Sequence, residues 1–328
     1  MNVCLYMAPL IAALSGGVQA SDALRKEAST LFGRIEPSTN ELRSRADGVL
    51  GRALFWDVRL SADGKTACAS CHLARDWGAD RRPFPIDARG KPTSRHAPTV
   101  FNAMAQPSMR WLGDRKTGAD QAEGSITGSM GFATKAAGVE RMRELGYLEA
   151  FRAAYPQDPD PLSAKNYGRA LQAYQVSLAT PSAFDRFLAG QDDALSAAQQ
   201  AGLRAFIDIG CAGCHSGTLF GGTSFQRFGL TQDYWTVTHS TNRDPGRMAI
   251  TKKDEDRNVF RVPMLRNVAK TGPYFHDGSV ARLDEAVRMM AVLQLGRTLE
   301  ANAVSVIVAF LDALTGDIPP NYAPPAKP

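Results

Sequence analysis

The sequence of 328 residues predicts a mainly α-helical protein with two lobes and long loops at the interface between them. Three observations support this fold class. First, six segments place apolar residues at i, i+3 and i+4, whereas the alternation typical of half-buried strands is scarce. Second, the pentapeptide CASCH at 68–72 returns as CAGCH at 211–215. Third, LGRALF at 50–55 and AGLRAF at 201–206 precede the two copies, and this weak internal repeat indicates two related units.

The predicted helices form the bodies of the lobes. Ser196 is a suitable N-cap for one of them, and Gly316, with two prolines soon after it, is expected to stop the last. The stretches 75–135 and 217–275 are predicted to be loops, and because loops of that length are usually functional, we expect them to wall a binding pocket. The predicted helices cover 41–54, 139–154, 163–179, 196–209, 283–295 and 299–314.

Both ends of the chain have a distinct composition. Residues 1–20 are apolar and uncharged and end in a small-x-small pattern, which predicts a signal peptide cut after Ala20 and export to the periplasm. A membrane anchor is the alternative, but the apolar run is too short to span a bilayer, and no other segment is apolar enough to do so. The predicted division is 1–20 signal peptide, 21–190 first lobe, 191–316 second lobe and 317–328 a Pro-rich tail, which we expect to be extended and disordered.

The charge of the chain restricts its partners only loosely. The formal net charge of +5 permits docking to an acidic partner, but it is too small to argue for nucleic acid, and we predict no nucleic-acid partner. The segment 243–270 holds eight Lys or Arg against four Asp or Glu. It is either a docking face for an acidic redox partner or an ordinary solvated loop face.

The cysteines point to a prosthetic group. Of the five, Cys4 lies in the predicted signal peptide and the other four lie in the two pentapeptides. Each copy has the pattern C-x-x-C-H, in which two thiols bond to a haem as thioethers and the next histidine coordinates the iron. The alternatives are two disulfides, a thioredoxin-like motif, which needs a single copy, and a zinc site, which leaves both histidines unexplained. The predicted haem-binding residues are Cys68, Cys71, His72, Cys211, Cys214 and His215.

Longer stretches carry a family resemblance. The sequences LGRALFWDVRLSADGKTACASCH (50–72), SRHAPTVFNA (94–103) and DRNVFRVPMLRNVAKTGPYFHDGSVARLDEAVRMMAVLQLGR (256–297) resemble the bacterial dihaem cytochrome c peroxidases, a superfamily that also holds the MauG-type enzymes. The resemblance covers about residues 45–316. It implies two cytochrome-c-like lobes, each with one covalently bound haem c.

The resemblance also implies an activity. We expect an oxidoreductase that reduces hydrogen peroxide with electrons from a small donor, either a cytochrome c or a cupredoxin. The alternatives are a MauG-type oxidase that modifies side chains of a partner protein and a non-catalytic two-haem electron carrier or peroxide sensor. The sequence leaves open whether the chain forms a homodimer.

Several single residues acquire roles from the resemblance. The haem on His215 is implied to be the electron-transfer site, with Met290 as the sixth iron ligand. A methionine at this position favours the peroxidases, since MauG-type enzymes carry tyrosine there. Trp111 is implied to lie between the haems and to relay electrons, and Gln121 to line the distal pocket of the reactive haem. His276 is implied to lie near the haems as a hydrogen-bonding group.

Two positions near the reactive haem depart from the family pattern. Ala88 stands where many members have a histidine that caps the iron, which predicts an open sixth site already in the oxidised protein. Ser129 stands about where the family has a distal glutamate that assists O–O cleavage. Asp120 and Glu123 lie nearby in sequence, and each is either a substitute acid or a solvated loop charge.

A third departure concerns calcium. The resemblance implies a calcium ion between the haems, with carbonyl ligands at Thr271 and Pro273 and an asparagine ligand at the position of His96. Imidazole is a poor ligand for a cation that prefers oxygen. The sequence therefore leaves open whether a calcium ion binds.

Overall fold

The computed structural model describes residues 10–326, with side chains from residue 21 onward, and this part of the chain is mainly helical. Two short strands, β1 (Phe225–Arg227) and β2 (Val259–Arg261), pair in antiparallel fashion with Gln226 opposite Phe260. The helices are α1 (Leu10–Leu31), α2 (Asn40–Ser44), α3 (Ala46–Trp56), α4 (Gly118–Ser125), α5 (Lys135–Glu144), α6 (Leu148–Ala154), α7 (Ala164–Val176), α8 (Ala183–Leu188), α9 (Ala197–Ile209), α10 (Tyr234–Thr238), α11 (Met248–Thr251), α12 (Leu283–Leu295) and α13 (Ala301–Asp312).

All six predicted helices are present, two of them in interrupted form. The segment 41–54 is divided at Arg45 into α2 and α3, and 139–154 is divided into α5 and α6 by a turn at Gly146, whose φ is +81°. Ser196 caps α9 as predicted, because its Oγ accepts a hydrogen bond from the Gln199 N–H (3.3 Å). The last helix ends at Asp312, before the predicted stop at Gly316.

The two long stretches predicted to be loops are only partly irregular. The first, 75–135, contains α4, and the second, 217–275, contains both strands together with α10 and α11. These elements are short, and the strands have only three residues each. The sequence therefore shows no sustained repeat of apolar residues from which they could be predicted.

The internal repeat has a structural counterpart in two helix pairs. Helix α3 packs on α7 and α9 packs on α13. In each pair a glycine allows backbone contact: a Cβ added to Gly51 or to Gly202 would lie 1.9 Å from a carbonyl oxygen of the partner helix. Four residues later, Phe55 and Phe206 lie 6.3 and 6.5 Å from the His72 and His215 rings, respectively. The related stretches LGRALF and AGLRAF thus place equivalent residues against equivalent histidines.

Separate hydrophobic clusters surround these helix pairs. The first cluster is formed mainly by α3, α4 and α7 and includes Phe55, Phe101 and Tyr167. The second is formed by α1, α8, α9 and α13 and includes Phe184 and Phe206. A third, smaller cluster consists of Leu112, Phe228, Tyr234, Phe260 and Leu293.

The ends of the chain pack across the predicted division. Residues 1–9 of the predicted signal peptide lie outside the described residues, and α1 continues through Ala20. Leu24 and Ala28 join the second cluster, although 21–190 was assigned to the first lobe from sequence. Tyr322 is only 3% exposed and lies in the first cluster, so the prediction of a disordered tail was wrong at this residue. Among residues 10–326, no helix combines the length and apolar character needed to cross a membrane.

Candidate haem sites

The first pentapeptide folds into a tight turn that presents one nitrogen of His72. Cys68–Ser70 form a 3₁₀ turn, and the His72 N–H donates to the Cys68 carbonyl oxygen (3.1 Å). The ring Nδ1 donates to the Gly78 carbonyl oxygen (2.9 Å), which fixes the tautomer and leaves Nε2 free. Burial lowers the pKa of His72, so the imidazole is neutral, as a metal ligand must be.

The second pentapeptide repeats this geometry. Cys211–Gly213 form the turn, the His215 N–H donates to the Cys211 carbonyl oxygen (3.0 Å), and Nδ1 donates to the Phe220 carbonyl oxygen (3.0 Å). Burial again lowers the pKa of His215. Both imidazoles therefore meet the requirements for an axial iron ligand, with a fixed ring and a free Nε2.

The thiols do not have the character of a thioredoxin-like pair. All four described cysteines are unpaired and half-buried. Burial raises the pKa of Cys68 to about 12 and that of Cys71 and Cys211 to about 11. A redox-active C-x-x-C needs a lowered thiol pKa, so these pairs fit attachment of a prosthetic group better than disulfide exchange.

A large cavity lies beside the second pentapeptide. It encloses about 1730 Å³ of space between atoms, a figure that includes space open to solvent. His215 and Met290 both line it, together with Cys211 and Cys214, so the structure brings the predicted ligand pair to one cavity. The other residues predicted from sequence that line the cavity are His96, Trp111, Thr271, Pro273 and His276.

A buried cation faces the same cavity. Arg261 is 5% exposed, and its guanidinium donates to the Ser108 carbonyl oxygen. Burial lowers the pKa of Arg261 to about 10, and the Asp114 carboxylate opposes this shift without forming a direct ion pair with Arg261. A buried charge of this kind needs a counter-ion, and the two propionate groups of a haem are anionic. The lining residues and the charge of Arg261 therefore suit a haem in this cavity.

Trp111 lies where the segment around His96 meets the cavity. Its indole Nε1–H donates to the His96 carbonyl oxygen (2.9 Å), and the His96 N–H donates to the His276 carbonyl oxygen (2.8 Å). The Trp111 and His276 rings are 6.3 Å apart, and His276 stacks on Phe260 at 4.1 Å. His276 Nε2 is buried without a hydrogen-bond partner, 4.0 Å from an Asp244 oxygen.

A buried ion pair beside His276 was not predicted from the sequence. The Arg95 guanidinium binds both carboxylate oxygens of Asp244, at 2.6 and 2.8 Å, and both side chains are largely buried. The pair ties the SRHAPT stretch to the loop after α10. Neither residue belongs to a recognisable short motif, and the two are 149 residues apart in sequence. Only the structure therefore reveals the contact between them.

Small residues meet near the first pentapeptide. Ala88 is buried, and its N–H donates to the Ser129 carbonyl oxygen (2.9 Å). The neighbouring Arg89 guanidinium binds the carbonyl oxygens of Thr127 and Gly128, at 3.2 and 2.8 Å. The two positions where the family has a histidine and, approximately, a glutamate are thus adjacent here, and neither side chain can coordinate iron as an imidazole or act as a carboxylic acid.

The candidate acids nearby are both paired with bases. Glu123 lies 2.5 Å from the Lys135 Nζ, and Asp120 lies 3.2 Å from an Arg115 nitrogen. Gln121 lies between them in α4 and is half-buried. Both carboxylates are engaged by cations, so neither is free to act as a distal acid in this conformation.

The remaining predicted features are the calcium site at His96 and the basic segment 243–270. His96 is buried, and its Nδ1 donates to the Arg82 carbonyl oxygen (3.2 Å); the calcium ion stays a prediction. In the basic segment 243–270, Arg261 and Arg266 are buried, so the positive excess available to a docking partner is smaller than the sequence count indicates.

Comparisons with known proteins agree with this geometry. The family model described as di-haem cytochrome c peroxidase matches residues 45–193. The cytochrome c551 peroxidase of Pseudomonas aeruginosa is 39% identical over 324 residues, which cover 96% of this chain and 93% of that protein. The methylamine utilization protein MauG of Methylophilus methylotrophus is 31% identical, and the match covers 81% of this chain and 82% of that protein.

A solved structure extends the similarity to the fold. The crystal structure of a MauG-like protein associated with microbial copper homeostasis matches with a TM-score of 0.75 and 27% sequence identity. The match covers 90% of this chain and 98% of that one. The similarity in fold therefore reaches well beyond the two pentapeptides.

Proposed function

We propose, because this chain belongs to the di-haem cytochrome c peroxidase family, that each of its two pentapeptides holds one covalently attached haem c. The enzyme is an oxidoreductase of the cytochrome c peroxidase type, with hydrogen peroxide as electron acceptor. Cys68 and Cys71 form the thioethers of the first haem, and Cys211 and Cys214 those of the second. The proposed lobes, 21–190 and 191–316, contain one haem each.

One observation supports this proposal most strongly. Each of the two histidines that follow a cysteine pair directs Nδ1 to a backbone carbonyl and keeps Nε2 free. A histidine that only packs in a hydrophobic core does not need a fixed Nδ1 and a free Nε2, so packing gives no reason for this arrangement to occur twice. Its occurrence in both copies, with matching phenylalanines behind the rings, is what iron ligation requires.

The second haem is proposed to receive electrons. His215 and Met290 bind its iron, and a His/Met pair raises the reduction potential, which suits uptake from a small cytochrome c or cupredoxin. Arg261 offsets the charge of a propionate in the cavity. Trp111, fixed by its hydrogen bond to His96, relays electrons towards the first haem.

The first haem is proposed to meet peroxide. His72 would hold its iron, and a haem bound there would supply the redox chemistry for O–O cleavage. Because the Ala88 side chain cannot coordinate iron, it would not cap a haem held by His72, and peroxide would have access without prior reduction of the second haem. Gln121 lines the distal side and orients the peroxide by hydrogen bonding. Because Asp120 and Glu123 are paired with bases, proton delivery requires water or a rearranged side chain.

Location and further ligands complete the proposal. The predicted signal peptide directs the enzyme to the periplasm, where covalent haem attachment and a soluble donor are compatible. The exposed part of 243–270 is the proposed docking face. Thr271 and Pro273 are the proposed carbonyl ligands of a calcium ion, which removal by a chelator would test.

The test is steady-state oxidation of a reduced cytochrome c by hydrogen peroxide, with the haem-loaded protein. We expect His72→Gly to abolish turnover. His239→Gly is the matched control, because His239 is exposed and has a φ of +54°, a conformation that glycine adopts freely. Turnover that survives in His72→Gly, or no turnover by the unchanged protein with any small carrier, would contradict the proposal.

Side-chain oxidation of a partner protein is the second candidate. It is favoured by the open position at Ala88 and by the similarity to MauG. It predicts a long-lived oxidised state after peroxide is added without a donor, together with a modified partner. Decay of that state within the time of a peroxidase turnover excludes it.

A further inference from the structure

The residues after the last helix form a strap across the first hydrophobic cluster. The strap, residues 316–324, leaves α13 in the second cluster and runs onto the helices that support His72. The Gly316 carbonyl oxygen accepts a hydrogen bond from the Trp77 indole (2.8 Å), and Ile318 packs on the first cluster. Near its far end, the Ala323 carbonyl oxygen accepts from the Arg52 Nε–H (2.9 Å).

Tyr322 is the point where the strap reaches the first pentapeptide. Its hydroxyl donates to the backbone carbonyl oxygen of His72 at 2.6 Å. Its ring lies edge-on to Phe101, at 4.6 Å, and 5.8 Å from Phe55, which in turn lies against the His72 ring. The side chain is 3% exposed, so both the ring and the hydroxyl are used inside the protein.

The second pentapeptide has no such support. Among the side chains of residues 21–326, no hydroxyl donates to the carbonyl oxygen of His215, although the two histidines are otherwise held alike. The strap therefore acts on one member of a repeated pair. An asymmetric contact on a symmetric element is a reason to look for a role specific to the first site.

We propose that Tyr322 is a positioning residue for His72, and through it for the reactive haem alone. The hydroxyl fixes the end of the CASCH turn, so that Nε2 keeps one direction while the opposite face of the iron stays open. The ring holds Phe55, which limits rotation of the imidazole. This inference rests on the proposed function, since it takes His72 as the iron ligand.

A single-atom change tests the inference. Tyr322→Phe removes the hydroxyl, keeps the ring, and leaves the His72 carbonyl oxygen without this donor. Tyr155→Phe is the matched control: Tyr155 is buried in the same cluster, and its hydroxyl has no hydrogen-bond partner. Asn321→Ala is a second comparison, because it removes the hydrogen bond from the strap to Ser177 (2.8 Å) and leaves Tyr322 intact.

Two readouts separate positioning from stability, and neither depends on turnover. Hydrogen exchange of the haem-loaded protein should be about tenfold faster in the 68–73 turn of Tyr322→Phe than in Tyr155→Phe, and unchanged around 211–216. Electron paramagnetic resonance of the ferric protein should show altered g values for the haem on His72 and the same values for the haem on His215.

The outcomes distinguish this inference from the proposed function. Protein that carries no haem on Cys68 and Cys71, as measured by mass, contradicts the proposed function and the role of Tyr322 with it. Haem-loaded protein in which Tyr322→Phe matches Tyr155→Phe contradicts the role of Tyr322 alone. Equal changes at both haems also overturn it, because they indicate general loosening.

Discussion

Replacing Arg266 with methionine should cost more stability than any surface substitution. The Arg266 side chain is fully buried in the second cluster, and its guanidinium lies 2.7 Å from an Asp185 oxygen. It also donates to the carbonyl oxygens of Thr218 (2.9 Å) and Gly33 (3.0 Å). Methionine fills much of the volume but leaves the Asp185 carboxylate buried without a cation.

The magnitude follows from that uncompensated charge. Removing one partner of a buried ion pair typically costs about 3–5 kcal/mol, out of the ~5–15 kcal/mol by which folded proteins are stable. Asp185 cannot turn to water, since its oxygens also accept from the N–H groups of Ser182 and Ile35, at 2.7 Å each. We therefore expect Arg266→Met to lose a large fraction of the free energy of unfolding.

Denaturant unfolding of the haem-loaded protein measures the loss. Arg257→Met is the matched control, because Arg257 forms an exposed pair with Asp254 at 2.8 Å and should change stability by less than about 1 kcal/mol. In a double-mutant cycle, the variant with both Arg266→Met and Asp185→Asn should lose less free energy of unfolding than the sum of the losses in the two single variants. If Arg266→Met and Arg257→Met differ by less than 1 kcal/mol, the reasoning from burial is refuted.

Two further predictions concern the haem sites, and a third concerns stability in acid. Trp111→Phe should slow peroxide turnover on the order of tenfold, about 1.4 kcal/mol of barrier, with both haem spectra unchanged; an unchanged rate in stopped-flow kinetics would remove it from the electron path. Arg261→Gln should lower the reduction potential of the second haem by tens of millivolts, on the order expected for loss of one partly screened charge, and spare the first in a redox titration. Burial raises the pKa of Asp63, but hydrogen bonds within the 61–66 turn outweigh it and lower the pKa to about 2, so this carboxylate stabilises the fold above pH 3.8 and ceases to do so as the pH falls through about 2. Asp63→Asn should flatten the acid limb of a pH–stability curve, and a limb identical to that of the unchanged protein would contradict this.

The parts of the fold that were predictable depend on short-range patterns. Helical periodicity identified α9 and α12 almost to the residue and α7 and α13 to within three residues at each end, because each buries one face and has a long apolar stripe. The Ser196 cap was predictable for the same reason: the side chain binds a backbone N–H only three residues away. The C-x-x-C-H spacing indicated the turn that holds each histidine.

The parts that were not predictable depend on contacts between distant segments. The Pro-rich composition of residues 317–328 indicated disorder, yet Tyr322 is buried because its ring packs on Phe101 and its hydroxyl binds His72, 250 residues earlier. Arg261 and Arg266 were counted among surface charges, since nothing in a basic loop sequence indicates which cations are buried. Composition describes the average of a segment, whereas burial is decided residue by residue by the partners that the fold supplies.

The difference between the two sites has its source outside the repeated elements. The repeat supplies both sites with the same framework: a close helix pair at a glycine, a phenylalanine behind the ring, and a histidine whose Nδ1 binds a carbonyl. Arg261 lies outside the repeated elements and faces the cavity beside the second pentapeptide, and the Tyr322 hydroxyl binds the first turn. Changes confined to these residues should therefore act through contacts that the other site lacks. A change in the shared framework, Gly51→Ala at the first site or Gly202→Ala at the second, should disturb either site in the same way, by displacing the helix pair on which its haem depends.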